Sequence, residues 1–73
     1  MYILWDQQDE THWKAQVNNY TLLLRSYNHG AAWILVIQKP TGGSITSTAK
    51  CEKTIKAWGQ QVLQNLLASV STP

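Results

Sequence analysis

The chain has 73 residues, which allows one domain with a thin core, because a chain of this size hides only about 60% of its unfolded surface. Hydrophobic residues make up 44% and charged residues 14%, a composition that excludes a disordered segment. The net charge of +2 is low for a phosphate-binding surface, and the single cysteine excludes an internal disulfide and a multi-cysteine zinc site. We expect a small folded domain in the cytoplasm.

Residues 1–12 begin apolar and become acidic. The apolar run stops at Asp6, long before a signal peptide or a membrane span would be complete, so we expect an N-terminal arm or a short strand and no membrane contact. Asp6, Asp9 and Glu10 do not have the spacing of a calcium loop. They predict a solvated acidic loop that can also recognise a basic surface.

Residues 13–47 predict an antiparallel β-meander. Asn18-Asn19 separates two alternating runs and fits a type I′ hairpin turn, since Asn tolerates positive φ. Residues 33–38 are apolar on both faces and predict the central strand, and residues 44–47 predict a short polar edge strand. With closure from Tyr27 to Ala32, one face collects Trp13, Ala15, Val17, Tyr20, Leu22, Leu24, Trp33, Leu35 and Ile37.

Residues 48–69 predict an amphipathic helix, capped by Ser47 or Thr48 and followed by a frayed tail at 70–73. Gly59 lies on its apolar side, where we expect the helix backbone to approach the sheet closely. The apolar stripe comprises Cys51, Ile55, Trp58, Val62 and Leu66. The predicted fold is therefore α+β: an antiparallel meander of three to four strands packed on one C-terminal amphipathic helix, as a single domain over 1–73.

Few side chains in this sequence suit catalysis. Cys51 falls in the apolar stripe, and no histidine on the helix can serve as its base, so we interpret it as a core residue. His12 and His29 supply at most two metal ligands. We therefore expect no catalytic residue, no metal site, no cofactor and no enzymatic activity.

Lysines recur at three-residue steps at Lys50, Lys53 and Lys56 and form a basic stripe that can follow a phosphate backbone. The order of a meander followed by Ala49-Lys50 and a helix is similar to the C-terminal half of double-stranded RNA-binding domains, whose lysines at that helix clamp phosphates. Residues 1–12 offer no counterpart of that family's N-terminal helix, and Thr46-Ser47-Thr48 replaces its paired lysines. Nucleic-acid binding is the alternative function.

The second face of the predicted sheet is apolar as well. One helix covers one face, which leaves Leu23, Ile34 and Val36 on the other, beside Lys14 and Arg25. An apolar patch with a polar rim marks an interaction surface. The competing interpretation is that residues 2–5 fold back over this patch.

The runs Trp13-x-Ala15-x-Val17-x-x-Tyr20-x-Leu22 and Trp33-x-Leu35-x-Ile37, followed by Ala49-Lys50, resemble small proteins encoded by phages and other mobile elements. The resemblance implies a meander-plus-helix domain without enzymatic machinery, and several such proteins inhibit host defence complexes such as CRISPR effectors. It implies no particular binding residue. We expect a non-enzymatic protein-binding module, either an anti-CRISPR-like inhibitor or a small dimeric adaptor, with a protein or a second copy as partner. Its contact residues would be Leu23, Ile34, Val36, Arg25 and Lys14, or else Asp6, Asp9 and Glu10.

Overall fold

The computed structural model describes residues 3–71, with backbone alone at 69–71. One antiparallel sheet of five strands is followed by a C-terminal helix, and the strands lie in the sheet in their order along the chain. The α+β meander is confirmed, with five strands rather than three to four. The elements are β1 Asp6–Asp9, β2 His12–Val17, β3 Tyr20–Tyr27, β4 Ala32–Gln38, β5 Ser44–Ala49 and α1 Glu52–Ser71.

The additional strand, β1, lies within residues 1–12, where we expected an arm or a short strand, and is formed by the acidic segment that we expected to be a loop. It pairs antiparallel with β2, with a bulge between Gln7 and Asp9. Asp9 holds the turn that follows, because its Oδ1 accepts a hydrogen bond from the Thr11 N–H at 2.8 Å and lies 2.7 Å from Nδ1 of His12. Two of the predicted loop acids, Asp6 and Asp9, therefore belong to a strand and its closing turn.

The predicted registers of the next two hairpins are confirmed. Val17 pairs with Tyr20, and Tyr27 pairs with Ala32 around a four-residue loop. The type I′ turn is wrong, because it needs positive φ at both central residues and of the two only Asn18 has it, at 55°. With five strands the middle one is β3, so β4 is an interior strand rather than the central one.

The core lies between one face of the sheet and α1. The helix lies against β4 and β5, and Ile55 and Leu63 on its apolar side are fully buried. At one end, the rings of Trp13 and Trp33 lie 5.4 Å apart, and the Trp33 indole N–H donates to the Gly30 carbonyl at 2.9 Å. The fully buried residues on the sheet side are Leu22, Leu24, Leu35 and Ile37.

The helix begins at Glu52, later than expected, because β5 continues through Thr48 and Ala49. The predicted N-caps Ser47 and Thr48 are therefore wrong. Gly59 is buried where the helix approaches β4: a Cβ at this position would overlap Cδ2 of Leu35, so the expected close approach is confirmed. At the other end α1 extends to Ser71, and the last two residues of the predicted frayed tail, 72–73, lie outside the described residues.

Candidate functional site

The sheet face opposite α1 carries the predicted contact residues side by side. Lys14 stands directly opposite Leu23, which stands opposite Val36, and in the next row Arg25 stands opposite Ile34. The three aliphatic side chains are half-buried, whereas Lys14 and Arg25 are exposed. We call these five residues the open face.

The N-terminal segment does not cover the open face along its described part. Ile3 and Trp5 pack against the core, and the Lys56 ammonium of α1 lies 5.8 Å from the centre of the Trp5 ring. Leu4, which alternates with them, is 73% exposed. The expectation that this segment folds over Leu23 and its neighbours is therefore wrong for residues 3–5; Tyr2 lies outside the described residues.

Leu4 instead extends the apolar surface toward the β1 edge. It lines a shallow depression together with Asp6, Lys14 and Gln16, next to the open face. The position of Leu4 could have been predicted from the alternation of the N-terminal run. In an extended segment, a residue between two neighbours that face the core points to the opposite side.

One of the two positive charges of the open face, that of Arg25, lies over an aromatic ring. The Arg25 guanidinium carbon lies 5.0 Å from the centre of the Tyr27 ring, a cation–π contact. The sequence interpretation overlooked Tyr27, although residues two apart on a strand share a face. This contact limits the motion of Arg25 and so lowers the conformational entropy it would lose on binding.

The three acidic residues do not form one patch. Asp6 stands opposite Lys14 across the β1–β2 ladder, and Glu10 is exposed in the turn. The Asp9 carboxylate is engaged by Thr11 and His12, and the backbone N–H of Thr11, followed by the His12 side chain, lowers the pKa of Asp9. Of the three, Asp6 borders the open face.

The predicted basic stripe is interrupted. Lys50 precedes the helix, Lys53 is exposed in its first turn, and Lys56 is half-buried and forms an ion pair with Glu52 four residues earlier. An ion-paired lysine has less of its charge available to a phosphate. Nucleic-acid binding stays a prediction with two exposed lysines rather than three.

Cys51 is exposed, so its interpretation as a core residue is wrong. The later helix start places it at the N-cap, where its carbonyl accepts from the Ile55 N–H at 3.2 Å. Its Sγ lies 2.9 Å from Oγ1 of Thr54, and this contact, then the Thr54 backbone N–H, then Lys53, lowers the pKa of the thiol. Cys51 and Thr54 are three residues apart, which is the spacing between the N-cap and N3 positions of a helix. This spacing could have indicated from the sequence that Cys51 is the N-cap.

The two histidines, which we expected not to form a metal site, lie in different parts of the fold. His12 bonds Asp9 on the sheet, and exposed His29 occupies the β3–β4 loop with a φ of 56°. Within residues 3–71 no group of three or more His, Cys, Asp or Glu is placed to hold a metal ion. Within the same range no helix combines the length and the apolar character that crossing a membrane requires.

Comparison of the chain with protein-family models, with curated proteins and with solved structures finds no match.

Proposed function

We propose that the chain is a non-enzymatic protein-binding module whose contact surface is the open face. The observation that carries this proposal is a contiguous aliphatic group, Leu23, Ile34 and Val36, on the face of the sheet opposite α1. Exposed Lys14 and Arg25 border it. A hydrophobic centre with a polar rim is the usual anatomy of a protein–protein interface.

The open face also defines the chemistry of its partner. Lys14 and Arg25 give it positive charge, of which Asp6 offsets a part beside Lys14. A complementary surface presents aliphatic or aromatic side chains at its centre and carboxylates opposite Arg25. Charge complementarity of this kind raises the association rate, and this effect becomes smaller as the salt concentration rises.

A more specific version of the proposal is that the chain inhibits a host defence complex. An inhibitor of a host defence complex acts by occupying a surface, so it needs a rigid docking face and no catalytic group. The inhibitor role is supported by the resemblance of the apolar pattern to small phage-encoded proteins. The open face supports only the broader proposal that the chain binds a protein.

Photocrosslinking tests the surface directly. A photoactivatable amino acid at Val36 is compared with one at Gln61, which lies exposed on α1. We expect an adduct with a protein other than this chain from position 36 and none from position 61. Equal adducts from both positions, or an adduct from 61 alone, would contradict the proposal.

Binding by the purified pair then measures the contribution of the face. We expect Val36→Asp to weaken affinity at least about tenfold, because it puts a carboxylate into an apolar contact, a cost of about 1.4 kcal/mol or more. Gln61→Asp is the matched control and should bind as wild type does. Arg25→Glu should slow association most at low salt. Unchanged affinity in a folded Val36→Asp variant would refute the open face as the contact surface.

A further inference from the structure

The two edges of the sheet differ in how they are protected. Exposed edges pair readily with other chains, and proteins block them with charges, bulges or short strands. Edge strand β1 has all three: it is 4 residues long, contains Asp6 and Asp9, and is bulged. Edge strand β5 has none of them, since its 6 residues, Ser44–Ala49, are uncharged and pair with β4 without a shift.

The direction of the β5 backbone groups follows from the turn before it. The Lys39 N–H donates to the Gly43 carbonyl at 3.1 Å. Because bonded pairs recur at every second residue of an antiparallel ladder, Ile45, Ser47 and Ala49 bond to β4. The N–H and C=O groups of Ser44, Thr46 and Thr48 therefore point away from the sheet, and all three residues are exposed.

We infer that β5 pairs antiparallel with β5 of a second copy of the chain. A two-fold axis at Thr46 places this residue opposite Thr46 of the second copy and places Ser44 opposite Thr48. This register puts every outward-pointing residue in a hydrogen-bonded pair and leaves none of their N–H or C=O groups unpaired. No charged residue meets another, and pairs of Thr and Ser across strands are favourable.

The position of α1 is compatible with this dimer. The helix lies against β4 and β5, and strands are spaced about 4.8 Å apart. Two helices that follow the line between β4 and β5 would lie about 10 Å apart on the same face of the joined sheet, a distance at which helices pack. The dimer is a continuous sheet of ten strands, and both open faces lie on the same side of it. This inference goes beyond the proposed binding function, because a dimer with two open faces can bind two partner sites at once.

The first test is the oligomeric state. We expect wild type to sediment at twice the chain mass at millimolar concentration, and Thr46→Pro to halve this mass. Proline there removes an outward N–H without removing a bond to β4. The matched control, Thr46→Val, keeps the outward N–H and the β-branched shape and should stay dimeric. A monomeric wild type, or a dimer that persists in a folded Thr46→Pro variant, would overturn the inference.

The second test does not depend on the folding of the proline variant. In a Cys51→Ser background, Thr46→Cys brings two thiols to a bonded pair whose Cα atoms are about 5.5 Å apart, within the range of a disulfide. Thr48→Cys is the matched control, since its counterpart in the second copy lies about 13 Å away along the strand. We expect oxidation to link the first variant and not the second. Equal linkage, or none in either variant, would overturn the predicted register.

Discussion

Replacing Gly59 with alanine tests how closely α1 approaches the sheet. The new Cβ would overlap Cδ2 of Leu35, whose side chain is fully buried and has no route into solvent. Overpacking of this kind costs about 1–3 kcal/mol. The better helix propensity of alanine returns about 1 kcal/mol. We expect a net loss of about 1 kcal/mol in the free energy of unfolding.

Urea denaturation followed by tryptophan fluorescence measures this loss, and in a thermal scan it corresponds to a fall of about 4–8 °C in Tm. Ala57→Gly is the matched control, because Ala57 is exposed on the same helix. We expect Ala57→Gly to lower the free energy of unfolding by about 1 kcal/mol, which is the difference in helix propensity between alanine and glycine in the absence of any contact with Leu35. The sum of the two losses then isolates the overlap with Leu35.

A second substitution identifies the contact. Leu35→Val removes the Cδ2 methyl group that the new Cβ would meet. We expect it to cost less in the Gly59→Ala background than in wild type, with a coupling of about 0.5–3 kcal/mol. A Gly59→Ala variant as stable as wild type, or two losses that simply add, would refute the reasoning.

Three further predictions concern titrating and basic groups. The Cys51 thiol should react with iodoacetamide at a lower pH than in the unfolded chain, and Thr54→Ala should raise its pKa; identical pH–rate profiles would contradict this. Because the folded-state pKa of Asp9 is lowered, its bonds stabilise the fold above about pH 4 and are lost as the pH falls further. Asp9→Asn, which resembles the protonated acid, should therefore be less stable than wild type at pH 7 and equal to it in strong acid; a pH-independent gap between their denaturation midpoints would be evidence against this. If the chain binds nucleic acid, Lys53→Ala should reduce a low-salt mobility shift, and the absence of any shift with wild type would count against that alternative.

The hairpins could be predicted from sequence because their determinants are local. Side chains alternate along each run, and turn length sets which residues stand opposite each other, so Val17 opposite Tyr20 and Tyr27 opposite Ala32 followed directly. The same alternation placed Leu23, Ile34 and Val36 together on the face away from the helix.

Other features escaped prediction because local pattern did not encode them. The strand Asp6–Asp9 contains no apolar residue, and its conformation depends on pairing with β2. The start of α1 also depends on neighbouring strands, because β4 pairs with β5 as far as Ala49 and the helix begins only after this pairing ends. As a result Cys51 lies at the exposed N-cap and not in the apolar stripe.

The sequence by itself thus determined the class of fold, the register of the inner strands and the amphipathic helix, since each depends on periodicity and short turns. Tertiary structure decided which surfaces stay exposed. It placed Trp5 beside Lys56 and left the open face uncovered by residues 3–5. Among residues 3–71 it also left the outward groups of β5 without a neighbouring strand. Exposure depends on contacts between segments far apart in the chain, which no local pattern specifies.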